Sequence, residues 1–294
     1  MLAVVASGCS PAEPTPGAPS EVRGLSMTPQ LDPDSGAVIL PADHFIPDLG
    51  QQDRIISAIS VVVSQCAAED GVTFVPAEPT EDPIYSSESY YGPWTLAQAR
   101  KFAFVEPASD ADLVANGILN EDGSPGEGPD GSEQGDSAPG PNAALTGADW
   151  AVIEECGTQA EGKEVLDDAL LLYAPWVDAL SDVEDAVLED EEFQAAAQDV
   201  RTCLEARGLE TQSGAPWIPQ GVEPLQITEE QVALAVDVVE CKEEADFTRR
   251  VAAVHAARQA VVIAEYADEM MAHRETLMTA LDQADELLGS SSAS

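Results

Sequence analysis

Basic residues are scarce in this chain. Twelve Lys and Arg stand against 55 Asp and Glu, a formal net charge of −43 over 294 residues. Such a surface repels polyphosphate and anionic lipid headgroups, which argues against a nucleic-acid partner. Histidine is rarer still, with only His44, His255 and His273. No apolar run reaches the roughly 18 residues that a spanning helix needs. The motifs of common chemistry are missing too. There is no Gly-x-Ser-x-Gly elbow for a serine nucleophile, no Cys-x2-Cys pair for zinc and no glycine-rich phosphate loop. The only glycine-dense stretch, between residues 119 and 141, is acidic and carries no base. Its Asp122, Asp130 and Asp136 lack the register of a calcium loop, so it reads as a solvated spacer. No motif identifies a reaction, and no cofactor is expected.

What is present is a 44% hydrophobic content, enough to build a core. The chain opens Met1-Leu2-Ala3-Val4-Val5-Ala6-Ser7-Gly8-Cys9-Ser10. A short apolar run ends in small residues and a cysteine, and Pro, Glu, Ser and Gly follow. This resembles the lipobox of a bacterial lipoprotein signal peptide, with Ala6 where Leu is usual. The resemblance implies lipidation of Cys9 and a place on the extracytoplasmic face of the plasma membrane. The apolar run is short and no Lys or Arg precedes it, which points to a true start upstream. Residues 1–9 are then a signal remnant. Residues 10–45, with Pro11, Pro14, Pro16 and Pro19, read as a disordered tether.

With Cys9 lipidated, Cys66, Cys156, Cys203 and Cys241 remain, an even number suited to an oxidising compartment and open to three pairings. An internal echo favours one of them. Cys66-Ala-Ala-Glu-Asp-Gly71 and Cys203-Leu-Glu-Ala-Arg-Gly208 share a Cys-x4-Gly pattern at expected helix ends. Cys156 and Cys241 each close an amphipathic run that begins with a threonine, Thr146 or Thr228. Two degenerate copies of one unit predict Cys66–Cys156 and Cys203–Cys241. Free buried cysteines and a metal site are the competing readings.

Apolar spacing predicts helices from Asp48 to Gly71, from a Thr95-x-x-Gln98 capping box, over Asp149–Gln159, over Lys163–Ala186 with a break at Pro175, and from Phe193 to Gly208. Val72–Val75 reads as a short strand. Tyr90-Tyr91-Gly92-Pro93-Trp94 and Ala215-Pro216-Trp217 read as related turns. The stretch Thr228–Leu288 predicts one long helix or a helical hairpin. The fold class is mainly α. The first repeat spans 46–189 with a disordered insertion at 119–147, the second spans 190–288, and 289–294 form a disordered tail.

Two groups invite a functional reading. Tyr90, Tyr91, Trp94 and Trp217 either line a shallow groove for a glycan or peptide or plug the core beside the disulfides. Glu265, Glu269 and His273 fall one turn apart and form a weak candidate for a divalent ion, against the reading of His273 as a packed core residue. His255 reads as structural, and His44 has no evident partner.

The Gly8-Cys9-Ser10 start, the paired Cys-x4-Gly units, the Tyr91-Gly92-Pro93-Trp94 turn and the late Cys241 before a long terminal helix together resemble uncharacterised actinobacterial lipoproteins. The resemblance extends over most of residues 1–288 and its motifs are of low specificity. It implies an address and disulfides, without an activity. The expected function is a non-enzymatic, membrane-anchored binding or accessory module for an envelope protein or cell-wall partner. A solute-binding component of a transporter and an exported hydrolase are the alternatives.

Overall fold

The computed structural model describes residues 19–79, 91–105 and 141–291. Cys9, Tyr90, the tether up to residue 18, the insertion from 119 to 140 and the last three residues lie outside them. The architecture is mainly α, with three two-stranded hairpins.

The first long helix, α1 (Leu49–Glu69), starts at a reciprocal cap. Asp48 accepts the Gln51 N–H at 2.8 Å, and the Gln51 side chain accepts the Asp48 N–H at 3.1 Å. It ends at Gly71, whose φ of +79° only glycine adopts without strain. There the Val72 N–H reaches back to the Ala67 carbonyl at 2.9 Å. Beyond it, residues 72–79 belong to no helix and pair with no strand, so the strand expected at Val72–Val75 does not form. Asn142 holds this segment instead, bonding both the N–H and the carbonyl of Val75 at 2.9 Å. The end of the expected insertion, residues 141–147, is therefore ordered.

Helix α2 (Leu96–Phe102) rises from the Thr95–Gln98 cap, and α3 (Gly147–Gln159) from a Thr146–Asp149 cap. A Cys66–Cys156 disulfide ties α3 to α1, with Cα atoms 5.8 Å apart. Helix α4 (Glu164–Leu170) stops before Pro175, which opens α5 (Pro175–Leu188) in the first turn, where N–H groups have no partner within the helix. Helix α6 (Glu191–Ala206) ends as α1 does, with Gly208 at φ +83° and the Leu209 N–H on the Leu204 carbonyl at 3.0 Å.

Trp217 does not sit in a turn. It lies on β6 (Ala215–Pro219), the second strand of a hairpin with β5 (Thr211–Gln212). The second disulfide, Cys203–Cys241, joins α6 to α7 (Glu229–Glu244), with Cα atoms 5.6 Å apart. The long helical segment is broken twice. Asp246 takes a left-handed φ of 52° before α8 (Phe247–Glu265), and Tyr266 interrupts the path into α9 (Ala267–Ser291). Helix α9 carries through Gly289 to Ser291, where a disordered tail was expected.

Two of the packed groups hold most of the helical framework. In one, Phe193, Leu204, Trp217, Val238, Phe247 and Val251 fill the space between α6, α7, α8 and the β5–β6 hairpin. The Phe193 and Trp217 rings meet edge to face, 5.0 Å between centroids. In the other, α1, α4 and α9 close on Ile55, Leu166, Leu277 and Leu281, with Ala58, Ala169, Ala280 and Ala284 fully buried where the backbones approach. Helix α9 thus packs on α1 and α4, away from α6 and α7 with which the repeat reading had grouped it.

The expected tether differs most. From residue 20 onward it forms β1 (Glu21–Val22), β2 (Leu25–Ser26), β3 (Gln30–Asp32), β4 (Ala37–Ile39) and a 3-10 turn over Pro41–His44. Met27, Leu40 and Phe45 are buried, and Met27 and Phe45 share a cluster with Trp176, Ile263 and Met270. Averaged over 10–45, the prolines hide these apolar anchors, yet burying each stabilises by about 1.5–3 kcal/mol. The β3–β4 hairpin docks through its tip. The Gly36 carbonyl accepts the Trp94 indole N–H at 2.6 Å and the Gln98 amide at 3.2 Å. A Cβ on Gly36 would lie 2.1 Å from the Gln98 amide nitrogen, and φ there is +80°.

Candidate functional site

Ten residues of α8 are buried, and His255 and Gln259, one turn apart, are the large polar side chains among them. A buried polar side chain must find partners, and these residues find them on three other segments. His255 Nε2 lies 2.9 Å from Glu184 Oε1 on α5. His255 Nδ1 faces the Tyr91 hydroxyl at 3.5 Å. The Tyr91 and His255 rings are near parallel. The Gln259 amide nitrogen is 3.1 Å from His255 Nε2, and its carbonyl accepts the Ala42 N–H at 3.0 Å. This bond fixes the 3-10 turn against α8.

On that turn, Asp43 accepts the Leu40 N–H at 2.7 Å. Asp43 is exposed as a residue, yet partial desolvation of its carboxyl by the surrounding groups pushes it up from the usual carboxylate range. The Leu40 N–H and the His255 and His44 imidazoles act against that shift.

These groups border a cleft of about 650 Å³ between β4 and the 3-10 turn on one side and α5 on the other. Val38, Ile39, Ile46, Leu49, Val177 and Leu180 supply apolar walls, while Asp43, Glu184, Gln259 and Tyr91 supply the polar groups. The volume falls within the ~300–1,000 Å³ typical of small-molecule sites.

Lys242, next to the disulfide-bonded Cys241, adds a second buried polar group. Its Nζ donates to the Tyr91 carbonyl and, at 3.2 Å, to the Pro93 carbonyl, and it lies 5.7 Å from the centre of the Phe247 ring. No carboxylate is among these contacts, and burial pushes the ammonium down to about 7. Two carbonyls match the two N–H groups of a neutral amine. Lys242 therefore fastens the turn that carries Tyr91 into the site.

Protein-family models, curated proteins and solved structures show no match to this chain. The site is therefore read from its own geometry.

Most of the residues singled out in the sequence do other work. Trp217, 8% exposed, packs in the interior, while Tyr91, 1% exposed, also borders the cleft. Trp94 is half-buried and committed to Gly36. Cys66, Cys156, Cys203 and Cys241 are disulfides. Cys9 and Tyr90 lie outside the described residues. Glu265 is the last residue of α8 and Glu269 lies in the first turn of α9, both exposed, and the Tyr266 break parts them. His273 packs against Trp176, 5.4 Å between ring centroids, and burial pushes its imidazole down. Among the described residues, no group of three or more His, Cys, Asp and Glu side chains is arranged to hold a metal ion.

Sequence reasoning missed Glu184, Asp43, Gln259 and Lys242. A signal existed for one of them: His255-x3-Gln259 puts two polar groups on one face of an Ala/Val-rich helix. Glu184 and Asp43 were indistinguishable from the other 53 acids until the fold placed them.

Proposed function

We propose that this protein is a non-enzymatic, membrane-anchored extracytoplasmic lipoprotein, one of the actinobacterial lipoproteins it resembles. It serves as a binding or accessory module for an envelope protein or cell-wall partner. The observation that carries the binding role is the cleft, where apolar walls meet polar groups held in place by buried hydrogen bonds. The address rests on the Ala6-Ser7-Gly8-Cys9 motif, and two disulfides suit an oxidising compartment. The alike ends of α1 and α6, each a cysteine followed by a glycine-terminated turn, support an internal duplication.

The volume of the cleft also favours a second reading, a solute-binding component that delivers a small molecule to a transporter. In both readings the cleft is the recognition site.

Fractionation of native cells tests the address. The protein is expected in the membrane fraction with a lipid on the Cys9 peptide, and Cys9→Ala is expected to release it. Recovery in the soluble fraction with an unmodified Cys9 would sink the lipoprotein reading.

A further inference from the structure

We propose that the cleft binds an organic ammonium, a primary or secondary amine on an aliphatic body. This inference rests on the cleft being a ligand site. Three carboxylates, Asp43, Asp48 and Glu184, border the same recess, and Asp43 and Glu184 lie close to His255. No Lys or Arg stands among the described residues that line it. A recess whose described lining carries three acids and no Lys or Arg has negative potential, and low-polarity walls focus that field. Desolvation raises the Asp43 carboxyl and the His255 and His44 imidazoles act against that shift, as a bound cation would.

The rest of the lining decides the kind of cation. A calcium ion takes six to eight oxygen ligands, and magnesium takes six in a strict octahedron. Here one Asp43 oxygen is engaged by the Leu40 N–H and one Glu184 oxygen by His255, while much of the wall is aliphatic. Few oxygens and many methyl groups suit an ammonium on a hydrocarbon body. Quaternary ammonium sites are built from several aromatic faces, whereas Tyr91 is the single aromatic among the described residues on this lining. Ionised carboxylates only accept hydrogen bonds, which calls for N–H donors on the ligand. Ile39 and Leu49, 37% and 40% exposed, then receive its aliphatic part.

Calorimetric titration of the disulfide-intact protein in about 0.15 M salt, where remote surface charges are screened, tests this. The titrants are hexylammonium, hexanol and hexanoate. Hexylammonium is expected to saturate one site, with hexanol and hexanoate at least tenfold weaker. Asp43→Asn and Glu184→Gln keep an acceptor for Leu40 and His255, and each is expected to weaken hexylammonium tenfold or more. Glu275→Gln, which changes net charge equally on an exposed face of α9, is expected to have no effect. Val177→Trp fills the cleft without touching its charge and is expected to abolish binding. Unfolding midpoints of the variants separate loss of fold from loss of site. Equal binding of hexanol and hexylammonium would overturn the ammonium assignment while leaving a ligand cleft. Hexylammonium binding that Glu275→Gln weakens as much as Asp43→Asn would reduce it to general charge attraction. Failure of all three titrants would overturn both the assignment and the ligand cleft.

Discussion

Replacing Lys242 with methionine removes a buried amine and keeps an unbranched chain of similar length. The consequence depends on pH. In the unfolded chain a lysine holds its proton to about 10.5, whereas in the fold burial brings Lys242 down to about 7. Between those values the unfolded state binds more protons, so stability rises as pH rises. The slope is about 1.4 kcal/mol per pH unit. From pH 7.5 to 9.5 the wild-type protein should gain about 2–3 kcal/mol relative to Lys242→Met. The variant has its own cost, since the Tyr91 and Pro93 carbonyls lose a donor, at about 1–3 kcal/mol for each buried group. Near pH 7.5 the two effects oppose each other at similar size, and at pH 9.5 the wild type should be clearly the more stable. Urea unfolding without reductant at pH 7.5, 8.5 and 9.5 measures this, and the difference between the two proteins cancels the other titrating groups. Parallel stability profiles would refute the reasoning, because they would mean that Lys242 keeps its ordinary affinity for protons in the fold.

Two further predictions concern the framework. Replacing both Cys203 and Cys241 with alanine should cost about 4 kcal/mol, and replacing both Cys66 and Cys156 about 4.5 kcal/mol, as expected for loops of 38 and 90 residues in the chain-entropy model. Equilibrium unfolding reads both costs, and a larger loss for the shorter loop would contradict that account. Gly36→Ala should cost about 2–3 kcal/mol, from the left-handed backbone and from displacing a Gln98 side chain that also accepts the Trp94 and Thr95 N–H groups. A melting temperature equal to that of the wild type would show that Gln98 has room to move.

The helices were legible because their signals are local. Asp48, Thr95, Thr146 and Thr228 each cap within three residues, and Gly71 and Gly208 end their helices in the same way. The disulfide partners were legible because two similar units place their cysteines at similar points. The β1–β4 segment was not, since its anchors are single residues in polar surroundings and its hairpins are held by contacts such as Trp94 to Gly36, 58 residues apart. The break at Tyr266 carries no Gly or Pro to announce it. The cleft was least legible of all. His255 sits on α8, Glu184 on α5, Asp43 on a 3-10 turn and Tyr91 ahead of α2, and only tertiary packing puts four such distant positions in one place.

The seating of α9 on α1 has a consequence for how the chain matures. Arg54 and Asp285, paired across these helices, are 231 residues apart. A chain made or exported from its N-terminus presents α1 long before α9, so the apolar face around Ile55 and Ala58 stays open for most of that time. The Cys66–Cys156 bond can close earlier, and it tethers α1 to α3 while leaving that face uncovered. Chain delivery would therefore yield a disulfide-bonded yet incomplete intermediate, one that a holdase could recognise by its exposed stripe until the last helix arrives.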